Sequence, residues 1–342
     1  MIGRRFSRRG VWSSSMGKGE VEQGVSSSRL APRGELINVP EFEDMAKLEL
    51  PSSAYSIISG GDRRAFDRMT FRTRRMVNSL KLDLTTELFG EPMFAPLLVA
   101  PIAQQTEFHP RGELATVEGA AAAKTIVVIN SRSSYSIEQI AAQAETTLWY
   151  QVDLEADANS VSVDTRRAVK AGCKALCITV ATPSHPRTND KAELDWRTID
   201  LIRRGIKVPV LLKGILTRED AEAAVNRGIQ GIVVSDYGGV LATKAGSPIE
   251  LLPSISRAVR QRIPILIDGS FRRGSDVLKA LALGAQAVLL GRPPMWGLSS
   301  YGSRGVQTVL ELLQTELGRS MAGLGRPNIK SIDSSLVRVH KR

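Results

Sequence analysis

Short apolar runs alternate with segments of helical spacing along the chain from residue 97 onward. Each run is about five residues long and almost continuously hydrophobic, which is typical of parallel strands covered on both faces. The eight runs are LLVAP (97–101), TIVVI (125–129), TLWYQV (147–152), ALCITV (175–180), PVLLK (209–213), GIVVS (231–235), PILID (264–268) and AVLLG (287–291). The pattern therefore predicts eight buried strands.

The segments between these runs carry helix signals. Ser136 and Thr217 are good N-cap residues for SIEQIAAQAE (136–145) and TREDAEAAVNRG (217–228). Further helices are predicted in GELATVEGAAAAK (112–124), DTRRAVKAG (164–172) and SDVLKALALG (275–284). Eight strands alternating with helices predict an α/β protein with a (β/α)8 TIM barrel. An open doubly wound sheet is the alternative, but no GxGxxG motif follows the first strand.

Four segments are predicted from the changes in pattern. Residues 1–34 form a disordered basic leader, and residues 35–96 form a mostly helical cap with VPEFEDMAKLELPSSAYSII as an amphipathic helix and its continuation. The barrel is predicted over residues 97–325, and a C-terminal tail over residues 326–342.

Composition narrows the function classes. The chain of 342 residues is 42% apolar and 24% charged, and no uninterrupted apolar stretch is long enough to cross a membrane. Aromatic residues make up 5% and are not interleaved with basic ones, which argues against dedicated nucleic-acid binding. Cys173 and Cys177 are expected to pack in the interior of a reduced, cytoplasmic protein rather than to form a disulfide or a metal site.

The leader carries much of the charge. Residues 1–34 contain seven basic and two acidic residues, within a formal net charge of +11 for the whole chain. The segment lacks the hydrophobic content needed to pack. It is consistent with a disordered leader without a role, an organellar transit peptide, or a basic arm for anionic surfaces.

Candidate chemistry lies at the carboxyl ends of the predicted strands, where barrel enzymes place their sites. The loops after the seventh and eighth strands contain Gly269 and Gly291, whose backbone N–H groups could approach an anion. Arg272, Arg273 and Arg292 add charge and donors that suit a phosphate. These loops predict a phosphate-bearing ligand, although a capping turn with solvated arginines would look similar.

Lys213 ends the fifth strand and is expected to point into the barrel mouth, beside Gln151 and Thr179 on neighbouring strand ends. It could simply pair with Asp236 or Asp268. Alternatively, it faces a heteroaromatic ring that gains negative charge on reduction, with the two neutral side chains as hydrogen-bonding partners. A ring, a phosphate and a cation beside the ring together suggest flavin mononucleotide (FMN).

Most of the chain, from about residue 36 to 338, resembles the FMN-dependent α-hydroxy-acid oxidase/dehydrogenase family, which includes glycolate oxidase and lactate oxidase. The matching segments include LFGEPMFAPLLVAPIA, HPRGELATVEGAAAAKT, SSYSIEQIA, CITVATP, VPVLLKGILTREDAEAAVNRGIQGIVVS, IPILIDGSFRRGSDVLKALALGAQAVLLGRP and ELGRSMAGLGRPNIKSI. The resemblance implies FMN as cofactor, a small-molecule substrate and no metal, and it allows a homotetramer. The FMN contacts that it implies are Pro101, Ile102, Ala103, Asn130, Gln151, Thr179, Lys213, Ser235, Asp268, Gly269, Ser270, Phe271, Arg272, Gly291 and Arg292.

The substrate-handling residues of the family do not transfer in the same way. The catalytic histidine is replaced by Tyr237, and the carboxylate-binding arginine three residues later is replaced by Val240. Where the family has a tyrosine in the N-terminal helix, this chain has Ile57. Where the family has a tyrosine two residues after the position of Gln151, this chain has Asp153. The position of the family's second substrate-binding arginine is occupied by Thr188 in a direct count. Arg187 matches it only if the alignment shifts by one residue.

These substitutions predict weak or no oxidation of ordinary 2-hydroxy acids. A phenol titrates near 10 and donates a proton more readily than it accepts one at neutral pH, whereas an imidazole titrates near 6.5. The negative charge of Asp153 is expected to repel a carboxylate and to favour a neutral or cationic substrate. Tyr237 could instead be an aromatic filler, and Asp153 a solvent-facing helix N-cap.

Three functions remain open at the level of the sequence. The first is an FMN oxidoreductase with an altered substrate, in which Tyr237 donates a proton, Asp153 or Asp236 is the base and Lys213 faces the flavin. The second is an FMN-binding pseudoenzyme that acts in assembly or partner binding. The third is an active (S)-2-hydroxy-acid oxidase whose base and carboxylate clamp come from residues such as His185 or Arg187.

Overall fold

The segment that precedes the barrel contains both helices and short strands. The computed structural model describes residues 30–73, 81–154, 158–180, 196–237 and 246–340. Its first elements are α1 (Val39–Glu49), α2 (Ser52–Ile58), α3 (Arg64–Asp67), β1 (Met69–Phe71), β2 (Thr86–Leu88) and β3 (Glu91–Met93). This segment is helical as far as α3, and the three short strands that follow are elements that the sequence analysis did not predict. Asn38 caps α1, because its side chain accepts a hydrogen bond from the backbone of Glu41.

Eight parallel strands then close into a barrel in which each strand pairs with its neighbours in chain order and the last pairs with the first. They are β4 (Leu97–Val99), β5 (Ile126–Asn130), β6 (Leu148–Asp153), β7 (Leu176–Thr179), β8 (Val210–Ile215), β9 (Gly231–Val234), β10 (Ile265–Ile267) and β11 (Ala287–Leu290). Every residue of these strands is buried. The predicted (β/α)8 barrel is confirmed, and burial on both faces explains the continuous hydrophobicity of the runs.

Helices surround the barrel. They are α4 (Gly112–Ala122), α5 (Ile137–Gln143), α6 (Ala158–Lys170), α7 (Trp196–Arg203), α8 (Arg218–Asn226), α9 (Pro248–Val259), α10 (Gly274–Ala282) and α11 (Arg292–Gly323). Ser136 and Thr217 are N-caps as predicted. The side chain of each accepts a hydrogen bond from the backbone N–H of the residue three positions later in the chain. A break at Tyr301 and Gly302 divides α11 into two helical stretches.

A short strand near residue 340 packs beside the segment that precedes the barrel. The last strand, β12 (Val337–Val339), pairs antiparallel with β1. It therefore ties the segment after α11 to the segment before the barrel.

Two apolar clusters make up the core. One contains residues of the barrel strands together with β2 and β3 but none from a helix, so it fills the barrel interior. Phe89, in the turn between β2 and β3, contacts Trp149 of this cluster with ring centroids 5.8 Å apart. The other cluster joins the outer side of the strands to the helices. This arrangement leaves the carboxyl ends of the strands for a site.

Within the described ranges, no helix is both long and apolar enough to cross a membrane. Residues 1–29 lie outside the described residues, so the basic leader stays a prediction over that stretch. Cys173 and Cys177 are buried and free, which confirms the expectation that they pack in the interior.

Candidate active site

A cleft of about 400 Å³ opens at the carboxyl ends of the barrel strands. Most of the predicted site residues line it, namely Pro101, Ile102, Ala103, Asn130, Lys213, Tyr237, Asp268, Gly269, Ser270, Phe271, Arg272, Gly291 and Arg292. Gln151, Thr179 and Ser235 are buried behind this lining. Gln151 accepts a hydrogen bond from Asn130, Thr179 accepts one from Gln151, and Ser235 accepts one from Lys213. The strand ends therefore bring the predicted residues into one site.

Two arginines define one end of the cleft. Nη2 of Arg272 and Nη1 of Arg292 both donate to the carbonyl of Gly60, at 2.9 and 2.6 Å. The Arg272 guanidinium also lies over the ring of Trp296, 4.4 Å from its centroid. Burial, followed by repulsion from the Arg292 guanidinium, lowers the pKa of Arg272 to about 9. Because its positive charge is disfavoured here, a bound anion would stabilise this end of the cleft.

The loop after β10 is shaped for close approach of a ligand. Gly269 has φ +107° and Ser270 has φ +59°, so two successive residues adopt backbone conformations that favour glycine. Arg63, which the sequence analysis did not identify, donates from Nη1 to the Ser270 carbonyl at 2.7 Å and to Asp276 at 2.9 Å. The segment before the barrel thus holds the loop in place.

Arg273 does not join the cleft, which corrects its assignment to the phosphate end. Its Nε donates to Glu316 of α11 at 2.9 Å, and its side chain is about half exposed. Successive residues of an extended stretch point to opposite sides, so only Arg272 of this pair faces the cleft.

A second polar region of the cleft, apart from the two arginines, is formed around Lys213, which is 5% exposed. Its Nζ is 2.9 Å from Oδ2 of Asp268 and donates to Oγ of Ser235 at 2.7 Å. Burial by itself lowers the pKa of Lys213, but the Asp268 carboxylate and its hydrogen bond outweigh burial and hold that pKa above its ordinary value. Oδ1 of Asp268 is buried without a hydrogen-bond partner within the part of the chain that the structure describes. An unsatisfied buried acceptor of this kind suits a site that receives a donor from a ligand.

A chain of neutral polar groups connects three strand ends. Asn130 donates from Nδ2 to Oε1 of Gln151 at 2.7 Å, and Gln151 donates from Nε2 to Oγ1 of Thr179 at 2.6 Å. The same Gln151 amide donates to Oδ1 of Asp153 at 2.6 Å. These amide and hydroxyl groups could serve as donors and acceptors for a heteroaromatic ring.

Arg132 is a site residue that the sequence analysis missed. Its Nη2 donates to Oδ2 of Asp153 at 2.6 Å and lies 3.4 Å from the hydroxyl of Tyr237. Asn130 is paired with Gln151 across β5 and β6, so the residues two positions beyond each, 132 and 153, are neighbours. This register is the signal that could have found the pair, because it follows from the aligned strand ends.

Asp153 therefore differs from its prediction in two ways. It lies within β6 and its side chain is 9% exposed, so it is not a solvent-facing helix N-cap. Both of its oxygens accept hydrogen bonds, from Gln151 and Arg132, which leaves it poorly placed to act as a base. The cation of Arg132 also offsets the negative charge that was expected to repel a carboxylate.

Tyr237 occupies the mouth with an unusual backbone. Its φ is +55°, in the left-handed region that aromatic residues rarely adopt, and its ring centroid lies 5.5 Å from Nζ of Lys213. Asp236 is buried and lies behind the cleft lining, where its Oδ1 is 3.8 Å from the position of a Cβ on Gly269. Ile57 lines the cleft, as its alignment with a substrate-contacting position implies. Val240, Thr188, Arg187 and His185 lie outside the described residues.

The residues present fit FMN. The two arginines and the glycine-bearing loops suit its phosphate, while Lys213, Asn130 and the unsatisfied Asp268 oxygen suit its ring. Within the described residues, no group of three or more His, Cys, Asp and Glu side chains could hold a metal ion. Fold and cleft together define a flavin-nucleotide barrel.

Comparisons with known proteins agree with this class. The sequence profile of the FMN-dependent dehydrogenase family matches residues 56–192 and 185–339. The chain therefore belongs to the FMN-dependent dehydrogenases, and FMN is its cofactor.

Similar proteins include oxidases of several hydroxy acids. A peroxisomal (S)-2-hydroxyacid oxidase of Arabidopsis thaliana is 35% identical, over 89% of this chain and 97% of the relative. An L-lactate oxidase of a Nostoc species is also 35% identical, over 88% of this chain and 98% of the relative. A crystal structure of mandelate oxidase with (S)-2-phenylpropionate superposes with a TM-score of 0.82 at 34% identity and covers 89% of this chain and 99% of that chain.

Proposed function

We propose that this chain is an FMN-dependent oxidoreductase with an altered substrate pocket and weak or no activity on ordinary 2-hydroxy acids. The observation that carries the proposal is the cluster of Tyr237, Arg132 and Asp153 at the mouth, where the resemblance places an imidazole base at position 237. When bound, FMN supplies a two-electron acceptor for the substrate. The chain itself must supply the group that takes the hydroxyl proton.

None of the three clustered residues is well suited to take that proton at neutral pH. A phenol ordinarily titrates near 10, and a guanidinium has no acceptor. Both oxygens of Asp153 already accept hydrogen bonds. Because loss of a positioned base typically costs about 10²- to 10⁴-fold in rate, slow turnover is expected.

A second candidate is an active (S)-2-hydroxy-acid oxidase whose base lies elsewhere in the chain. The observation that favours it is the identity of 35% over nearly the whole length to proteins named as oxidases of 2-hydroxy acids and of L-lactate. A third candidate is a pseudoenzyme that binds FMN without turnover and acts in assembly or partner binding.

The deciding experiment is anaerobic reduction of the FMN-loaded protein. Glycolate, L-lactate and (S)-mandelate are mixed with it while flavin absorbance near 450 nm is followed, with an oxidase that is active on the same acid as the parallel reference. We expect reduction about 100-fold slower than in the reference, or none, because of the missing base. Reduction within about tenfold of the reference would establish the second candidate instead.

A Tyr237→His variant serves as the matched gain-of-function test. Histidine tolerates the left-handed backbone of this position and restores an imidazole. If the absent base limits turnover, the variant reduces its flavin faster than the parent with at least one of the three acids. An unchanged rate would place the limitation in substrate binding rather than in proton transfer.

A further inference from the structure

Arg132 places a cation at the mouth of the cleft, outside the positions at which the family's arginines align. It lies in the loop between β5 and α5, and both of its backbone polar groups are held. Its N–H donates to Oδ1 of Asn130 at 2.7 Å, and its carbonyl accepts from the N–H of Gln104 at 3.1 Å. Because Asn130 and Gln104 both line the cleft, the backbone of Arg132 is fixed to the cleft wall.

The side chain is held from one side. Nη2 donates to Asp153, whose other oxygen accepts from the buried amide of Gln151. The side chain of Arg132 is 59% exposed, compared with 9% for Asp153, so the carboxylate lies deeper than the cation. An approaching ligand therefore meets the guanidinium before it meets the negative charge.

Part of the guanidinium remains for a ligand. Within the described ranges, Nη2 is the only guanidinium nitrogen of Arg132 that hydrogen-bonds to another residue. Nε and Nη1 have no hydrogen-bond partner among the described residues, and the N–H groups of a guanidinium match the planar oxygens of a carboxylate. The hydrogen bond to Asp153 fixes the orientation of the fork, which reduces the rotamer entropy that a ligand would otherwise have to overcome.

We propose that Arg132 recognises the carboxylate of a small ligand at this mouth, from a strand end that differs from those of the arginines expected by resemblance. The proposal rests on the proposed function and names the anionic class of its substrate. It replaces the expectation of a neutral or cationic substrate, which considered Asp153 without its partner. The chain then binds carboxylates through Arg132 even where Tyr237 limits their oxidation.

The test compares a carboxylate with its neutral isostere. FMN-loaded protein is titrated with phenylacetate and with phenylacetamide, and binding is followed by perturbation of the flavin spectrum and in parallel by isothermal titration calorimetry. We expect the parent to prefer phenylacetate. Arg132→Gln should raise the Kd of phenylacetate about tenfold or more and leave that of phenylacetamide unchanged, since a charged hydrogen bond is lost.

Two further variants separate charge from general damage. Arg132→Lys keeps the charge without the fork and should fall between the parent and Arg132→Gln. Arg111→Gln is the matched control, because Arg111 is another half-exposed arginine in an ion pair and its partner, Glu118, belongs to the helix layer. It should bind phenylacetate like the parent.

Two results would overturn the proposal. One is a parent that binds phenylacetamide as tightly as phenylacetate, and the other is an Arg132→Gln variant whose Kd for phenylacetate stays within about twofold of the parent. Failure of the proposed function gives a different result. In that case 2-hydroxy acids reduce the flavin rapidly, while Arg132→Gln still weakens the binding of phenylacetate relative to the parent. Calorimetry reports binding even if the flavin spectrum does not respond.

Discussion

The surroundings of a single residue, Arg272, indicate that the cleft binds an anionic ligand. It is almost buried, yet its guanidinium donates to the carbonyls of Phe271 and Gly60 and stacks on Trp296 rather than forming an ion pair within the described ranges. Arg272→Gln should weaken FMN binding about 10- to 100-fold, because a charged hydrogen bond to the phosphate is lost. Titration of the apoprotein with FMN and with riboflavin measures this effect, and riboflavin affinity should change little.

Arg273→Gln is the control for this prediction. Arg273 is adjacent in sequence but pairs with Glu316 on the helix layer. An equal loss of FMN affinity in both variants, or an equal loss of riboflavin affinity in Arg272→Gln, would contradict a phosphate contact by Arg272.

The pair of Lys213 and Asp268 is a second residue-scale feature with a measurable consequence. The two side chains are 7% and 12% exposed, so removing one leaves a nearly buried charge. Lys213→Met should destabilise the apoprotein by about 3–5 kcal/mol. The double variant Lys213→Met with Asp268→Leu should recover part of this loss, because no uncompensated charge remains.

Urea unfolding of the apoproteins measures the free energies of unfolding. Arg218→Met tests the alternative that any lost ion pair has this effect, since Arg218 pairs with Glu222 on the surface of α8. Its cost should stay below about 1 kcal/mol. A Lys213→Met variant as stable as Arg218→Met would show that the buried pair contributes nothing.

At the scale of elements, helix packing depends on backbone contact at particular glycines. A Cβ at Gly274, the first residue of α10, would lie 2.1 Å from the backbone nitrogen of Leu317 in α11. Gly274→Ala should therefore destabilise the protein by about 1–3 kcal/mol, since the two helices must separate. Gly323→Ala, in the last turn of α11, meets no atom within 4 Å and should be neutral or slightly stabilising.

Thermal unfolding of both variants checks this prediction. The two variants carry the same substitution, glycine to alanine, and both sites lie in helices. They differ in the space around the added Cβ atom. Equal transition temperatures would mean that α10 can shift away from α11 without cost.

Elements with a strong local pattern were predictable, and those defined by distant partners were not. The eight barrel strands appear in the sequence as apolar runs, and the observed strands fall within two residues of them. In contrast, β1 has only three residues and pairs with β12 near the other end of the chain, so it leaves no local period. The same reasoning applies to Arg132, whose partner Asp153 lies on the next strand and whose own surroundings, NSRSSYS, have the composition of a loop.

At the scale of the whole molecule, the described residues form an inner and an outer apolar core, and each contains one cysteine. Cys177 belongs to the interior of the barrel, whereas Cys173 packs between the strands and the helices. Burial raises the pKa of each thiol to about 12. Because the thiolate is the reactive form, both thiols should react with iodoacetamide at pH 8 far more slowly in the folded protein than in guanidinium chloride.

The two thiols also report different openings of the molecule. Cys173 becomes accessible when the helix layer opens locally, but Cys177 requires the barrel itself to open, so Cys173 should be labelled first under native conditions. FMN binds at the barrel mouth and stabilises the closed barrel by mass action, so it should slow labelling of Cys177 more than that of Cys173. Mass spectrometry of peptides from timed labelling, with and without FMN, distinguishes the two sites. Equal labelling rates that FMN slows equally would mean that both layers open in one cooperative step, contrary to a separate opening of the helix layer.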